Sequence, residues 1–195
     1  MNKILLFFAV VLGIFIVAQV IMAFQSDAIE TPKYTVIKKF EEFEIRQYDT
    51  MIIAQTTLPS ASYDASSSMG FRRVASYIFG GNDKKQSISM TAPVFMEMGA
   101  NTKMAFVMPK NYQLSDLPTP NSKDVELKQI MPKKYAVLSF SGYASDQKIK
   151  DKISLLRTLL LKENLAQASE FQYLGYNPPW RIIGRKNEIA VEVKD

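Results

Sequence analysis

Histidine and cysteine are both absent from the 195 residues. Their absence excludes serine–histidine and cysteine–histidine nucleophiles, thiol chemistry, disulfides and the commonest zinc ligands. With no cysteine present, the chain also carries no record of the redox compartment in which it folds. Charge of one sign is not concentrated either: 24 Lys and Arg stand among 19 Asp and Glu, a net charge of +5 with no basic block. No nucleic-acid partner is expected from that pattern. What the chain does have is apolar substance, 47% of its residues, enough for one domain with a sizeable core and an appendage.

The appendage is N-terminal. Residues 4–24 are almost purely apolar, with Gln19 the one strongly polar side chain, and the run matches the roughly 20 residues that a helix needs to cross hydrocarbon. Residues 1–25 are therefore expected to form a membrane anchor or signal segment, 26–32 a linker and 33–195 the domain. The run is longer than most signal cores and Ile21-Met22-Ala23 fits a cleavage site poorly, which favours an uncleaved single-pass anchor. The flanking charges do not fix the orientation. A short N-terminal tail with the domain outside the cytoplasm is the simpler arrangement, and secretion after cleavage is the alternative.

Beyond the linker, YTVIKKFEEFEIRQY (34–48) and TMIIAQTTL (50–58) read as strands forming a hairpin around Asp49 and Thr50. Then the period changes. Phe71, Val74, Ala75, Ile78 and Phe79 recur at helical spacing, and Gly80-Gly81-Asn82 ends that helix. Two strand-like runs follow, SISMTAPVFMEM and KMAFVMP. The second half repeats the order: VELKQIMP and KYAVLSFSG, a helix opening near Ser145-Asp146 with Ile149, Ile153, Leu156 and Leu160 on its core face, then EFQYLGYNPP and NEIAVEVK.

The expected fold class is thus α+β: two pseudo-symmetric β-β-α-β-β halves combining into one antiparallel, barrel-like sheet, with two flanking helices and an N-terminal transmembrane helix. A groove is expected where the halves meet.

Five stretches, GFRRVASYIFGGN (70–82), ISMTAPV (88–94), MAFVMP (104–109), GYNPPW (175–180) and GRKNEI (184–189), occur in the order found in the SOUL family of haem-binding proteins. The resemblance runs over essentially all of 34–193. It implies two pseudo-symmetric halves and binding of haem or another tetrapyrrole in a shallow apolar cleft beside the first helix of the domain. Some members are thought to use a histidine as axial ligand, which this chain cannot do.

Without histidine, a porphyrin plane needs apolar or aromatic contact and its propionates need cations, a role suited to the bidentate guanidinium. Met69, Arg72, Arg73 and Tyr77 on the helix are candidates for a wall and one or two cations. Tyr176, Trp180, Arg181 and Arg185 in the C-terminal loop are candidates for an aromatic lid and a further cation. Met69 or Tyr77 would be the iron ligand, if the protein supplies one.

Each has a plainer alternative. The arginines can be the wet face of a helix, Trp180 can be packing, and Met90, Met96, Met98, Met104 and Met108 can fill the core. Glu41, Glu42 and Glu44 read as a solvated strand edge, and Glu188 as a partner that fixes the basic loop.

Together these features describe a membrane-tethered, non-enzymatic carrier or buffer for a tetrapyrrole. An enzyme acting on the tetrapyrrole, such as one removing its metal, and a binding module for another flat amphipathic molecule remain as alternatives.

Overall fold

Each change of period along the chain becomes a change of element in the computed structural model, which describes residues 3–27, 29–60, 62–99 and 102–194. The elements are α1 (Lys3–Asp27), β1 (Tyr34–Lys39), β2 (Glu44–Tyr48), β3 (Met51–Thr57), α2 (Tyr63–Ile78), β4 (Val94–Met98) and β5 (Lys103–Val107), followed by β6 (Glu126–Ile130), β7 (Lys133–Ser141), α3 (Asp146–Lys162), β8 (Phe171–Gly175) and β9 (Lys186–Glu192).

The nine strands form one sheet in the order β1-β2-β7-β9-β8-β4-β5-β3-β6. Every pairing is antiparallel. The result is α+β, a curled half-barrel. The repeat appears as β2-β3-α2-β4-β5 and β6-β7-α3-β8-β9, meeting at the β4–β8 pair. Each half lends its first strand to the other, since β2 pairs with β7 and β6 with β3. Neither half can therefore complete its sheet alone.

The hairpin expected around Asp49 and Thr50 does not form. Residues 34–48 are not one strand but the β1–β2 hairpin, closed where Phe40 N donates to Phe43 O at 2.8 Å. The rings of Phe40 and Phe43 stack at 4.3 Å across that turn, with Glu41 and Glu42 exposed between them. Stacking fixes a reversal where alternation suggested continuity.

Both domain helices lie on one face of the sheet, α2 over β3 and β5 and α3 over β7 and β9. Val74 and Ile78 from α2, and Ile149, Leu156 and Leu160 from α3, meet Met96, Met104, Phe106, Ile189 and Val191 in the main core. Each such side chain contributes roughly 1.5–3 kcal/mol by leaving water. The methionines Met96, Met104 and Met108 are core filling. Gly70 permits the close approach of α2, because a Cβ there would stand 2.9 Å from Leu58 Cδ2 and 3.0 Å from Met104 Sδ. Gly80, at φ +101°, takes the left-handed turn after the helix.

The helix N-termini cap one another. Ser62 Oγ accepts from Ala65 N at 3.1 Å and Ser145 Oγ from Lys148 N at 3.3 Å, the ordinary local caps. In addition Tyr63 N and Ser62 Oγ both donate to Asp146 at 2.6 Å, while Asp146 N donates to Asp64 at 3.3 Å. Bonding to Ser62 lowers the Asp146 pKa, against a smaller opposing effect of burial.

α1 is 25 residues long, and its side chains, described from Lys3 to Phe15, are all exposed. Among the described residues no helix is long and apolar enough to cross a membrane. The membrane helix expected over 4–24 is therefore not shown, and its second half lies outside the described side chains. The linker is pinned to the domain: Ala92 N donates to Glu30 O at 2.9 Å, Lys110 N to Glu30 Oε1 at 2.8 Å and Asp49 N to Lys33 O at 3.2 Å.

Because the Asp146 carboxylate accepts from both Tyr63 N and Ser62 Oγ at the start of α2, Asp146→Ala is expected to cost more than an ordinary cap, at or above about 2 kcal/mol. Ser145→Ala should cost about 1 kcal/mol. Chemical denaturation of the two variants checks the order, and equal losses would show that the cross-cap adds nothing.

Candidate functional site

The loop between β8 and β9 is built around two arginines. Arg185 is 8% exposed, and its Nη1 donates to Pro178 O at 2.8 Å and to Arg181 O at 2.7 Å. Its Nε has no hydrogen-bond partner among the described residues, and the guanidinium lies 4.3 Å from the Tyr143 ring centroid. Arg181 is also buried and donates from Nε to Ile183 O at 3.0 Å. Lys186 N closes the loop on Asn177 Oδ1 at 2.6 Å, and Gly184 takes φ +65°.

Prolines and a tight turn leave carbonyls that no strand can satisfy, and the arginines satisfy them. The loop is thereby held with its apolar residues outward: Trp180 is 63% exposed, Ile182 51% and Ile183 69%.

Beneath it lies a buried ion pair. Glu188 is 0% exposed and accepts from Arg46 Nη1 at 2.9 Å and Nη2 at 3.0 Å. Tyr176 OH donates to the same carboxylate at 2.7 Å, Ser139 Oγ at 3.1 Å, and Lys186 Nζ lies 3.2 Å away. Burial works against both charges, but the mutual hydrogen bonds and attraction outweigh it, so Glu188 is held below the usual carboxylate range and Arg46 is raised. Arg46 further donates to Tyr48 OH at 3.3 Å and stacks 4.4 Å from the Tyr34 ring centroid. Burial, then Glu188, pushes the Tyr176 hydroxyl well above the ordinary tyrosine range.

The sequence candidates divide sharply. Tyr176, Arg181 and Arg185 are structural members of the loop or its footing, and Glu188 fixes Arg46 and Tyr176 rather than Arg181 or Arg185. Tyr77 is 1% exposed, and its hydroxyl donates to Pro118 O at 3.0 Å. Burial pushes that hydroxyl up to about 12, with smaller contributions from Asp83 and Tyr112. Arg73 donates to Thr57 O at 3.0 Å and sits 3.7 Å from Asp124.

Met69, Arg72 and Trp180 make no hydrogen bond or ion pair among the described residues, and Arg72 and Trp180 are exposed. Also among the described residues, no group of three or more Asp or Glu could hold a metal ion.

Two cavities are lined by other residues. One of 630 Å³ lies between the linker and the β5–β6 connection, bounded by Glu30, Lys33, Asp49 and Lys110. The other, of 220 Å³, opens on the sheet face that carries no helix.

Sequence reasoning missed Arg46. A single arginine in a strand amid glutamates reads as solvated, and nothing local marks it as buried; the signal was its alternation with Tyr48, on the face that Glu188 also occupies.

The motif asparagines are structural as well. Asn82 Nδ2 donates to Tyr77 O at 3.0 Å and Gln86 O at 2.8 Å, and Asn187 Nδ2 to Gly142 O at 2.7 Å.

A family model described as SOUL heme-binding protein matches residues 29–192. Heme-binding protein 2 of Homo sapiens is 30% identical over 156 residues, covering 75% of this chain and 76% of that protein. Heme-binding protein 1 of Xenopus laevis is 26% identical over 155 residues, covering 75% of this chain and 81% of that protein. Among solved structures, the C-terminal domain of EcmrR superposes with a TM-score of 0.60 at 10% identity, covering 83% of this chain and 98% of that one. At that identity the likeness is one of fold.

Removing Glu188 leaves the buried Arg46 with Glu44 as its one carboxylate partner among the described residues, so Glu188→Gln is expected to destabilise the domain by about 1–3 kcal/mol. Glu188 has a folded pKa below its ordinary 4.5. Its stabilisation is therefore complete above about pH 4.5 and is lost as pH falls through the lower folded value. Denaturation midpoints measured from pH 7 down to 3 should drop in the wild type and drop less in Glu188→Gln. Parallel curves would show that the pair contributes nothing.

Proposed function

The chain belongs to the SOUL heme-binding protein family, and on that premise we propose that it is a membrane-tethered, non-enzymatic carrier or buffer for haem or a related tetrapyrrole. The observation that carries this reading is the clamped loop. Buried arginines hold Trp180, Ile182 and Ile183 outward, where an apolar plane would remove them from water. A flat macrocycle covers such side chains without needing an iron ligand.

Arg72, exposed on α2 and without an ion-pair partner among the described residues, is the cation proposed for a propionate. Arg181 and Arg185 act by shaping the loop. Met69 is the side chain proposed to reach an iron, since Tyr77 is turned into the core.

Support for the tether comes from α1. There the sequence runs almost purely apolar over residues 4–24. Every described apolar side chain on it is exposed. The domain is proposed to lie outside the cytoplasm, held close to the bilayer by its pinned linker.

Trp180 is the sole tryptophan, so its fluorescence reports the loop directly. In detergent-solubilised full chain, haemin and metal-free protoporphyrin are expected to quench it with comparable affinities. Arg72→Ala should weaken both by about 1.5–3 kcal/mol. A preference for haemin that disappears in Met69→Ala would make Met69 an iron ligand. No quenching at micromolar tetrapyrrole would overturn the reading.

A further inference from the structure

The β8–β9 loop and the point where α1 joins the domain stand at one end of the central strands. Glu30 O accepts from Ala92 N at 2.9 Å, Ala92 lies two residues before Val94, and Val94 is the register partner of Gly175, from which the loop leaves the sheet. α1 ends at Asp27, three residues before Glu30, so the chain between them spans at most about 10 Å. A bilayer that holds α1 therefore begins near the loop.

Three features of the loop suit lipid. Its carbonyls are satisfied from within: Arg185 Nη1 donates to Pro178 O and Arg181 O, Arg181 Nε donates to Ile183 O, and Arg181 N donates to Pro178 O at 3.2 Å. Water can solvate a stray carbonyl on an ordinary surface loop, but lipid cannot. No carboxylate stands between Glu170 and Glu188, and Glu188 is wholly buried, so the tip carries no anion for headgroup phosphates to repel. The exposed side chains Trp180, Ile182 and Ile183 are joined by exposed Tyr143, whose hydroxyl donates to Pro179 O at 3.4 Å. Aliphatic side chains edged by a tryptophan and a tyrosine match the interfacial layer of a membrane.

We propose that Trp180, Ile182 and Ile183 seat in the interface of the bilayer that holds α1, giving the domain a second membrane contact besides its anchor. The contact rests on the tether read from α1 and is independent of any tetrapyrrole. A macrocycle covering the same side chains would have to displace lipid from them, so ligand and bilayer compete for one surface.

Trp180, the sole tryptophan, makes the contact measurable. The full chain is reconstituted in phosphatidylcholine nanodiscs whose acyl chains carry bromine near the headgroup or, separately, near the methyl end. With the tip roughly 5–10 Å into the boundary of headgroups and acyl chains, shallow bromine is expected to quench Trp180 about twofold and deep bromine less. Ile183→Asp should abolish the quenching while the chain stays in the nanodisc with an unchanged circular dichroism spectrum. Trp180→Phe combined with Leu161→Trp moves the reporter to the exposed end of α3 and should show no quenching. A retained chain with Trp180 unquenched, quenching that survives in Ile183→Asp, or equal quenching of the α3 reporter would overturn this contact alone. A chain that does not enter nanodiscs would overturn the tether and this contact with it.

Discussion

A carboxylate completely shut away from water holds this domain together at its most awkward junction. Glu188 sits on the last strand, its partner Arg46 on the second, and their bidentate contact ties the first half of the repeat to the second. A buried charge is tolerated only when paired and hydrogen-bonded, and here Arg46, Tyr176, Ser139 and Lys186 together meet that condition. Tyr176 begins the β8–β9 loop, so the same carboxylate fixes where that loop leaves the sheet.

From this follows a division of labour among the basic residues. Arg46, Arg181 and Arg185 are turned inward onto a carboxylate or onto carbonyls, and the loop they stiffen presents apolar side chains. On the proposed reading, this chain without histidine presents a tetrapyrrole with a firmly held apolar surface at Trp180, Ile182 and Ile183. Rigidity matters because ordering a loop on binding would consume part of the small energy available from covering three side chains.

Much of the fold was legible because the hydrophobic period changes abruptly at each element boundary. Ser145-Asp146 announced α3, and the Gly80-Gly81-Asn82 run announced the end of α2. The β1–β2 turn was hidden because Glu41 and Glu42 continue a plausible strand, while the stacking of Phe40 on Phe43 is visible only in three dimensions. The cross-cap of the helices was equally hidden, since Ser62 and Asp146 are far apart in sequence and meet only through the pseudo-twofold.

The β8–β9 loop stood out in the sequence, but the contacts of its residues did not. Every candidate arginine in the loop was noticed, yet a sequence cannot say whether a guanidinium faces a ligand or a stranded carbonyl. Pro178 and Pro179 held the clue: two prolines remove donors and leave nearby carbonyls in need of one. Tyr77 lies at the centre of the apolar face of α2, which helical spacing does not distinguish from its edge.

The most direct test is a crystal structure with metal-free protoporphyrin, which has no iron to confuse contact with ligation. The account requires the macrocycle to lie over Trp180 and Ile183 while Arg181 and Arg185 keep their bonds to Ile183, Pro178 and Arg181 carbonyls. A macrocycle bound elsewhere, or guanidinium groups swung from those carbonyls onto the propionates, would contradict it.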